Sequence, residues 1–375
     1  MTHARHRDGQ PPAGSSRPPT AWQILLGAAL ALFTVAGRTR ETPIGGTIET
    51  DSERSADSSE EDAGRSADRP TAMPLRDWWA VLRRVWDEVA EDHMSIVAAG
   101  CGFYALLALF PAITALVAIY GLLADPATIE QQLSGLGSLV PPEAVELIKS
   151  QAHAVAATGP TKLSWGAALG LLLALYSATS GVKTVFEALN IAYEERETRS
   201  FIRLNLVAFL FTAGAVLGVA IVIAVIVGLP VLLSYLPLGP LGAWLVRVGS
   251  WLLLSLLILF GLALLYRFGP SRAAARWRWV TPGSLAAVII WLAGSLAFSV
   301  YVAKFAAYNQ TYGTLGGVVV LLLWLFISAF AILLGAELNA ELELQTQRDT
   351  TTGAPQPMGR RRAYAADHTS EQRRR

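Results

Sequence analysis

Charged residues are scarce in this sequence, and several long stretches contain none. Charged side chains make up 16% of the residues and hydrophobic side chains 53%, whereas an average soluble domain has more of the first and fewer of the second. A charged side chain at the centre of a membrane helix costs about 2.5 to 3.5 kcal/mol, and apolar side chains favour insertion. The long uncharged stretches therefore predict membrane helices.

Residues that support catalysis are also scarce. The five histidines lack the close spacing to one another, or to Asp and Glu, that a metal site needs. The sequence contains no phosphate-binding loop of the Walker type, and the single Cys101 excludes a disulfide within the chain. The net charge of +1 gives no sign of nucleic-acid binding. We therefore expect no enzyme, no metal or cofactor, and no nucleic-acid partner.

Six uncharged stretches are long enough to cross a bilayer, whose hydrocarbon core of roughly 30 Å needs about 20 helical residues. They cover residues 94–124, 163–182, 204–246, 248–266, 279–303 and 305–336. The third is too long for one helix and is expected to end near Pro230, because proline lacks the amide of a continuing helix. The predicted fold class is all-α, a polytopic membrane helix bundle with six core transmembrane helices.

Arginine and lysine concentrate in alternate connections between these stretches. Positive charge near the ends of spans is retained in the cytoplasm, so the core is expected to begin and end there. The arginine-rich connections contain Arg76, Arg83, Arg84, Arg196, Arg199, Arg203, Arg267, Arg272, Arg276 and Arg278.

The chain divides into five predicted regions. Residues 1–20 and 38–73 are polar and expected to be disordered, and residues 345–375 form a disordered basic tail that could contact anionic lipid headgroups. Residues 21–37 are apolar, and three readings stay open: an extra membrane helix, a signal-like segment, or the product of an early start codon. Residues 74–344 form the membrane domain. Within it, residues 74–91 predict an amphipathic interfacial helix, and residues 125–162 predict two short amphipathic helices on the outer face.

Polar residues cluster on the second predicted span. Tyr176, Thr179, Lys183 and Glu187 recur every three or four residues, which places them on one face of a helix. Lys183 and Glu187 are expected to pair with each other. The candidate crevice has these additional members: Tyr104, Pro111, Ser177, Ser180, Glu337 and Asn339.

Two interpretations of this band are open. Ser and Thr often hold membrane helices together, and GxxxG spacings at residues 166–170, 214–218 and 313–317 are weak signals of close helix contact. Alternatively, the polar band lines a crevice behind a helix that Pro111 kinks, as in transporters.

Four ordered motifs resemble the YihY/BrkB family of bacterial inner-membrane proteins. They begin at Ser95 (SIVAAGCGFYALLALFPAI), Tyr176 (YSATSGVKTVFEALNIAYEERETRSFIR), Leu265 (LYRFGP) and Tyr308 (YNQTYGTLGGVVVLLLWLF). The resemblance implies six membrane helices in the inner membrane and a role in transport or envelope-lipid handling. Members have also been named ribonuclease BN, and the missing histidine cluster argues against that activity here.

A transporter or lipid-handling protein is therefore the first functional hypothesis, and a structural scaffold is the alternative. Because no carboxylate lies at the centre of a predicted span, we expect movement of an amphiphile or passive movement of a solute rather than proton coupling. Membrane lipids are the expected partners, and the sequence does not specify an oligomeric state.

Overall fold

The computed structural model describes residues 64–123, 165–223, 240–305 and 314–373. Predictions for residues 1–63, for the two outer helices within 125–162, for the break near Pro230 and for the 308–312 connection lie outside these ranges. Within the described ranges the ordered elements are helices, which confirms an all-α membrane helix bundle.

Six long helices follow one amphipathic helix. Helix α1 is Leu75–Glu91, and the long helices are α2 (Met94–Leu123), α3 (Trp165–Ala192), α4 (Phe201–Ile223), α5 (Pro240–Phe268), α6 (Trp277–Phe305) and α7 (Thr314–Gln345). Two single turns follow in the tail, α8 (Tyr364–Asp367) and α9 (Ser370–Arg373). The long helices correspond in order to the six predicted spans.

Length and hydropathy support membrane crossing for most of these helices. Among the described residues, four segments qualify, namely Met94–Ile113, Phe201–Val222, Trp277–Ala303 and Gly316–Gln345, and Leu252–Phe268 is a shorter apolar helix. Many large apolar side chains on them are exposed, including Leu210, Leu252 and Leu296. Such surfaces suit contact with lipid, where apolar side chains are favourable.

Helix α7 is the centre of the bundle because it packs against α1, α2, α3 and α6. Two glycines allow α7 to cross close to α6. An added Cβ on Gly283 of α6 would lie 2.0 Å from the Gly335 carbonyl oxygen, and one on Gly335 would lie 2.5 Å from the Gly283 carbonyl oxygen. Among the described residues, Gly170, Gly214 and Gly218 have open space beside them, so no close helix contact is found at the 214–218 spacing. Gly313 lies outside the described ranges.

Helix α1 lies against the bundle through one face. Val81 and Val85 are buried with Trp279 of α6 and Leu342 of α7. The opposite face exposes Leu75, Trp79, Leu82 and Trp86 at helical spacing. This arrangement fits the predicted interfacial helix, in which tryptophan lies at headgroup depth.

The described tail packs on the bundle, which differs from the predicted disorder of residues 345–375. Arg361 is buried, and its guanidinium donates to the carbonyl oxygens of Gln347, Arg348, Gln356 and Ala366. One side chain thus satisfies four backbone acceptors, which a composition argument cannot foresee.

The end of the predicted linker is also ordered. The Thr346 hydroxyl donates to the Ala67 carbonyl oxygen at 2.7 Å, and the Gln347 amide donates to the Arg65 carbonyl oxygen at 2.8 Å. Residues on both flanks of the membrane domain therefore meet beside the end of α7. We call residues 337–345 of α7, together with the residues of α1, the connections and the tail that contact them, the charged end.

Candidate functional site

Polar residues alternate with apolar ones through the last turns of α7. Glu337, Asn339, Glu341 and Glu343 all have no exposed surface. In a helix, residues four apart share a face, so Glu337 and Glu341 point one way while Asn339 and Glu343 point another. This end of α7 is therefore enclosed on both sides.

Glu341 is the centre of the first face. Its carboxylate accepts from Arg84 of α1 at 2.5 Å and from Arg373 of α9 at 2.7 Å. Arg373 also pairs with Glu88 at 2.6 Å and with Glu194. One tail arginine therefore joins α1, α7 and the segment after α3.

Glu343 is the centre of the second face. Arg272 and the Thr350 hydroxyl both donate to the same carboxylate oxygen at 2.6 Å. The Arg272 guanidinium also lies over the ring of Tyr193, 4.9 Å from its centroid. Because both charged groups are almost fully buried, losing one would leave the other without a partner at high cost.

Asn339 holds α6 to α7 beside a proline. Pro282 in α6 has no amide hydrogen, and the Asn339 side chain accepts from the next amide, Gly283, at 2.8 Å. The same side chain donates to the Val280 carbonyl oxygen at 3.3 Å. Asn339 thus satisfies backbone groups of α6 and has a structural role.

The connection between α3 and α4 is fixed by charged hydrogen bonds. Arg199 donates to Glu197 at 2.6 Å and to the Gly269 carbonyl oxygen at 2.8 Å. Hydrogen bonds from Arg199 hold the pKa of Glu197 down at about 2. Asn190 links the α3–α4 connection to the α5–α6 connection, because its side chain donates to Glu197 and accepts from the Ser271 amide.

Glu337 differs from Glu341 and Glu343 in degree, because Glu343 has one carboxylate oxygen without a hydrogen-bond partner in the described ranges and Glu337 has two. Neither of its carboxylate oxygens has a hydrogen-bond partner among the described residues, and one buried oxygen of Asp92 also has none. The two carboxyl groups lie against each other. Burial raises the pKa of Asp92 and raises that of Glu88 to about 7, although nearby Arg373 acts in the opposite direction on both.

A pocket of about 260 Å³ opens near this first face. It lies between α1, the end of α7 and the tail. Its charged lining residues are Arg65, Arg76, Asp77, Arg84 and Glu371. The position differs from the predicted crevice on α2 and α3.

A family model described as Virulence factor BrkB matches residues 85–359. The chain belongs to the BrkB family. Asp92, Glu337 and Arg272 lie inside the matched range, whereas Arg84 and Arg373 lie outside it.

Two relatives are similar to this BrkB-family protein over most of their own length. "Putative ribonuclease-like protein YfkH" of Bacillus subtilis is 30% identical over 65% of this chain and 88% of the relative. A "UPF0761 membrane protein" of Tolumonas auensis is 26% identical over 69% of this chain and 83% of the relative. No solved structure matches.

The predicted polar band on α3 does not form one site in this BrkB-family structure. Tyr104 and Tyr176 are 45% and 52% exposed, whereas Thr179 is buried. The hydroxyls of Ser177, Thr179 and Ser180 donate to carbonyl oxygens of α3 itself. The helix therefore satisfies its own polar groups, and the hydroxyls have no common focus.

The predicted Lys183–Glu187 pair differs from the structure. Lys183 donates to Asn205 of α4 at 3.2 Å, and no ion pair between Lys183 and Glu187 is found in the described ranges. Glu187 is exposed. Replacing Lys183 or Glu187 alone would therefore not leave the other residue without its ion-pair partner.

Helix α2 is continuous across Pro111. The kink at that residue stays a prediction, because continuity alone does not establish a straight axis.

Sequence reasoning selected Glu337 and Asn339 but missed several partners at the charged end. The missed residues are Arg84, Asp92, Arg272, Glu341, Glu343 and Arg373. Acidic residues alternating with apolar ones after a long uncharged run were a usable signal. Their arginine partners were not recognisable, because they come from distant connections and from the tail.

Proposed function

We propose that this BrkB-family membrane protein is a transporter, moving a lipid, another amphiphile or a small solute across the bacterial inner membrane. The supporting observation is Glu337 in a candidate membrane span, a fully buried carboxyl that has no hydrogen-bond partner in the part of the chain that the structure describes. Ionisable groups inside membrane proteins are costly and usually face pathways or relays. An apolar side chain at this position would give a purely structural bundle greater stability than a buried carboxyl does.

The charged end is proposed to face the cytoplasm. Arg272 and Arg276 lie between α5 and α6, Arg278 lies in the first turn of α6, and Arg196 and Arg199 lie between α3 and α4. Short arginine-rich connections are retained on that side. Exposed Arg360 and Arg362 of the tail are free to approach anionic headgroups, whereas Arg361 and Arg373 already have partners within the protein.

A scaffold is the second candidate function. The hydroxyls of α3 bond within their own helix, and Gly283, Gly335 and Asn339 hold α6 and α7 together. Both features favour a rigid bundle. The relative's ribonuclease-like name supplies a third reading, and a membrane-protein name such as that of the Tolumonas relative favours a role without catalysis.

Reconstitution of the full chain in liposomes tests the proposal. One arm follows dithionite reduction of a fluorescent NBD-phosphatidylglycerol, and the other follows osmotic swelling in glycerol. We expect the wild-type protein to accelerate at least one of the two processes, Glu337→Gln to reduce that rate several-fold, and the exposed control Asp87→Asn to preserve it.

Two results would count against transport, and a third would count against a protein without catalytic activity. Rates equal to empty liposomes in both arms, from correctly folded protein, would favour the scaffold. Equal rates for wild type and Glu337→Gln would show that Glu337 does not act in transport, and the proposal would lose its support. Cleavage of a labelled RNA by the purified protein with added Mg²⁺ or Zn²⁺ would show that it is a ribonuclease and would overturn the proposal of a role without catalysis.

A further inference from the structure

We propose that Glu337 and Asp92 form a proton-binding pair, in which two facing carboxyl groups share one exchangeable proton. This site goes beyond the transport proposal, because proton binding at equilibrium requires neither a transported compound nor a gradient. It also departs from the expectation of a protein without ion coupling, which depended on the absence of carboxylates at the centres of the spans.

The geometry of the two carboxyl groups is the first support. Glu337 has no exposed surface, and within the described ranges both of its carboxylate oxygens and one buried oxygen of Asp92 have no hydrogen-bond partner. Two facing carboxylates repel each other, and each would leave lone pairs unsatisfied in a low dielectric. One shared proton removes a negative charge and supplies the missing donor.

The surrounding charges are the second support. Glu88 and Asp92 approach Glu337 from α1 and its end, Glu341 from α7, and Arg373 from α9, and the Tyr193 hydroxyl adds a polar group after α3. The cluster has two guanidinium groups, those of Arg84 and Arg373. Its carboxyl groups are those of Glu88, Glu91, Asp92, Glu194, Glu337 and Glu341. Negative charge is therefore in excess, and bound protons reduce it.

A proton fits this site better than a divalent metal. No group of three His, Cys, Asp or Glu side chains in the described part of the chain is arranged to hold a metal ion. A proton needs only two facing oxygens. The pKa of neighbouring Glu88, about 7, shows that this environment allows carboxyl protonation close to neutral pH.

Arg373 is expected to tune the pair from the tail. It is the guanidinium that lies close to Glu88, Glu194 and Glu341 at once. A positive charge beside two carboxyls disfavours the bound proton. Removing that charge should therefore allow the proton to stay bound at higher pH.

The test is infrared difference spectroscopy of the full chain in phosphatidylethanolamine and phosphatidylglycerol nanodiscs, recorded between about pH 5 and about pH 8. The measured quantity is the carbonyl band of protonated carboxyl groups. We expect Glu337→Gln and Asp92→Asn each to remove the same one-proton component, and the double variant to remove no more than either single variant. The exposed control Asp87→Asn should retain the band.

A second comparison keeps the test informative if Glu337→Gln fails to fold. Asp92→Asn alone should remove the component. Arg373→Gln should make it persist to higher pH, whereas the exposed tail control Arg362→Gln should not.

Several results would overturn the pair. These are a component that survives both single changes, a loss in the double variant that equals the sum of two independent losses, and a component that sodium chloride abolishes while choline chloride does not. The infrared experiment measures proton binding and not transport. A protein that shows the shared-proton band but gives no transport in the liposome experiment would therefore contradict the proposed function alone.

Discussion

The polar band of α3 and the charged end differ in where their polar groups find partners. On α3, Ser177, Thr179 and Ser180 bond to the backbone of the same helix. At the charged end, Glu341 and Glu343 bond to arginines hundreds or tens of residues away in sequence, such as Arg84 and Arg272. Helical spacing therefore identifies residues on a common face, and only long-range contacts distinguish a site from self-satisfied hydroxyls.

The largest expected effect is at the buried ion pair of the charged end. Arg272→Leu strands the Glu343 carboxylate, whose relative exposure is 0%, and breaking such a pair typically costs about 3 to 5 kcal/mol. Thermal unfolding in detergent should show a large loss of stability. The exposed control Arg203→Leu should change little, and a double variant Arg272→Leu with Glu343→Leu should recover part of the loss. Equal stability of Arg272→Leu and wild type would contradict the burial of this pair.

The next effect concerns the crossing of α6 and α7. Gly283→Ala places a methyl group against the Gly335 carbonyl oxygen and the Asn339 side chain, and overpacking typically costs about 1 to 3 kcal/mol. Its matched control is Gly218→Ala in α4, which meets open space and should be neutral or gain up to about 1 kcal/mol from helix propensity. The thermal midpoint should fall for Gly283→Ala and should stay unchanged or rise for Gly218→Ala. A loss for Gly218→Ala as large as that for Gly283→Ala would contradict the assigned crossing.

Stability should also depend on pH through Glu88. Its pKa is raised from 4.5 to about 7 in the folded protein, mainly by burial. A raised carboxyl pKa means that folding favours the protonated form, so stability is full below about pH 4.5 and falls as pH rises through about 7. Thermal scans should show a smaller fall between those values for Glu88→Gln than for wild type. An identical slope for the two proteins would count against the buried environment of Glu88.

Glu197 should act in the opposite direction at lower pH. Hydrogen bonds from Arg199 depress its pKa to about 2, so its contribution is present above about pH 4.5 and is lost as pH falls through about 2. Glu197→Gln should therefore have its greatest cost near neutral pH. Thermal scans that show a cost independent of pH would argue that its charge is unimportant.

The smallest effect should come from the α3 band. Thr179→Val and Ser177→Ala remove hydroxyls that bond within one helix, and each should change stability by less than about 1 kcal/mol. Liposome rates should stay at the wild-type level. A strong loss of transport with normal folding would restore the crevice on this helix and reverse the comparison.

Much of the architecture was predictable because it depends on local composition. The six long helices follow uncharged runs, and the amphipathic pattern of residues 75–91 corresponds to α1. The charged end was only partly predictable. Glu337 and Asn339 were visible as polar residues after an apolar run, but the contacts of Arg373 and Arg361 require the folded tail.

The tail prediction differed for a physical reason. Residues 345–375 contain little apolar surface, and disorder follows if apolar burial is the only source of ordering. In the structure, Ala363, Ala365 and Ala366 are buried, and the Arg361 guanidinium satisfies several carbonyl oxygens. Small apolar side chains and one multivalent donor provide contacts that average hydropathy does not register.

The position of Arg373 also sets an order of events during biosynthesis. This residue follows all six long helices along the chain, and it pairs with Glu88, Glu194 and Glu341. Because ribosomes make the chain from its N-terminus, α1 and the long helices are synthesised before this arginine. The carboxyl groups that Arg373 contacts must therefore pass through a stage in which Arg84 has been synthesised and Arg373 has not.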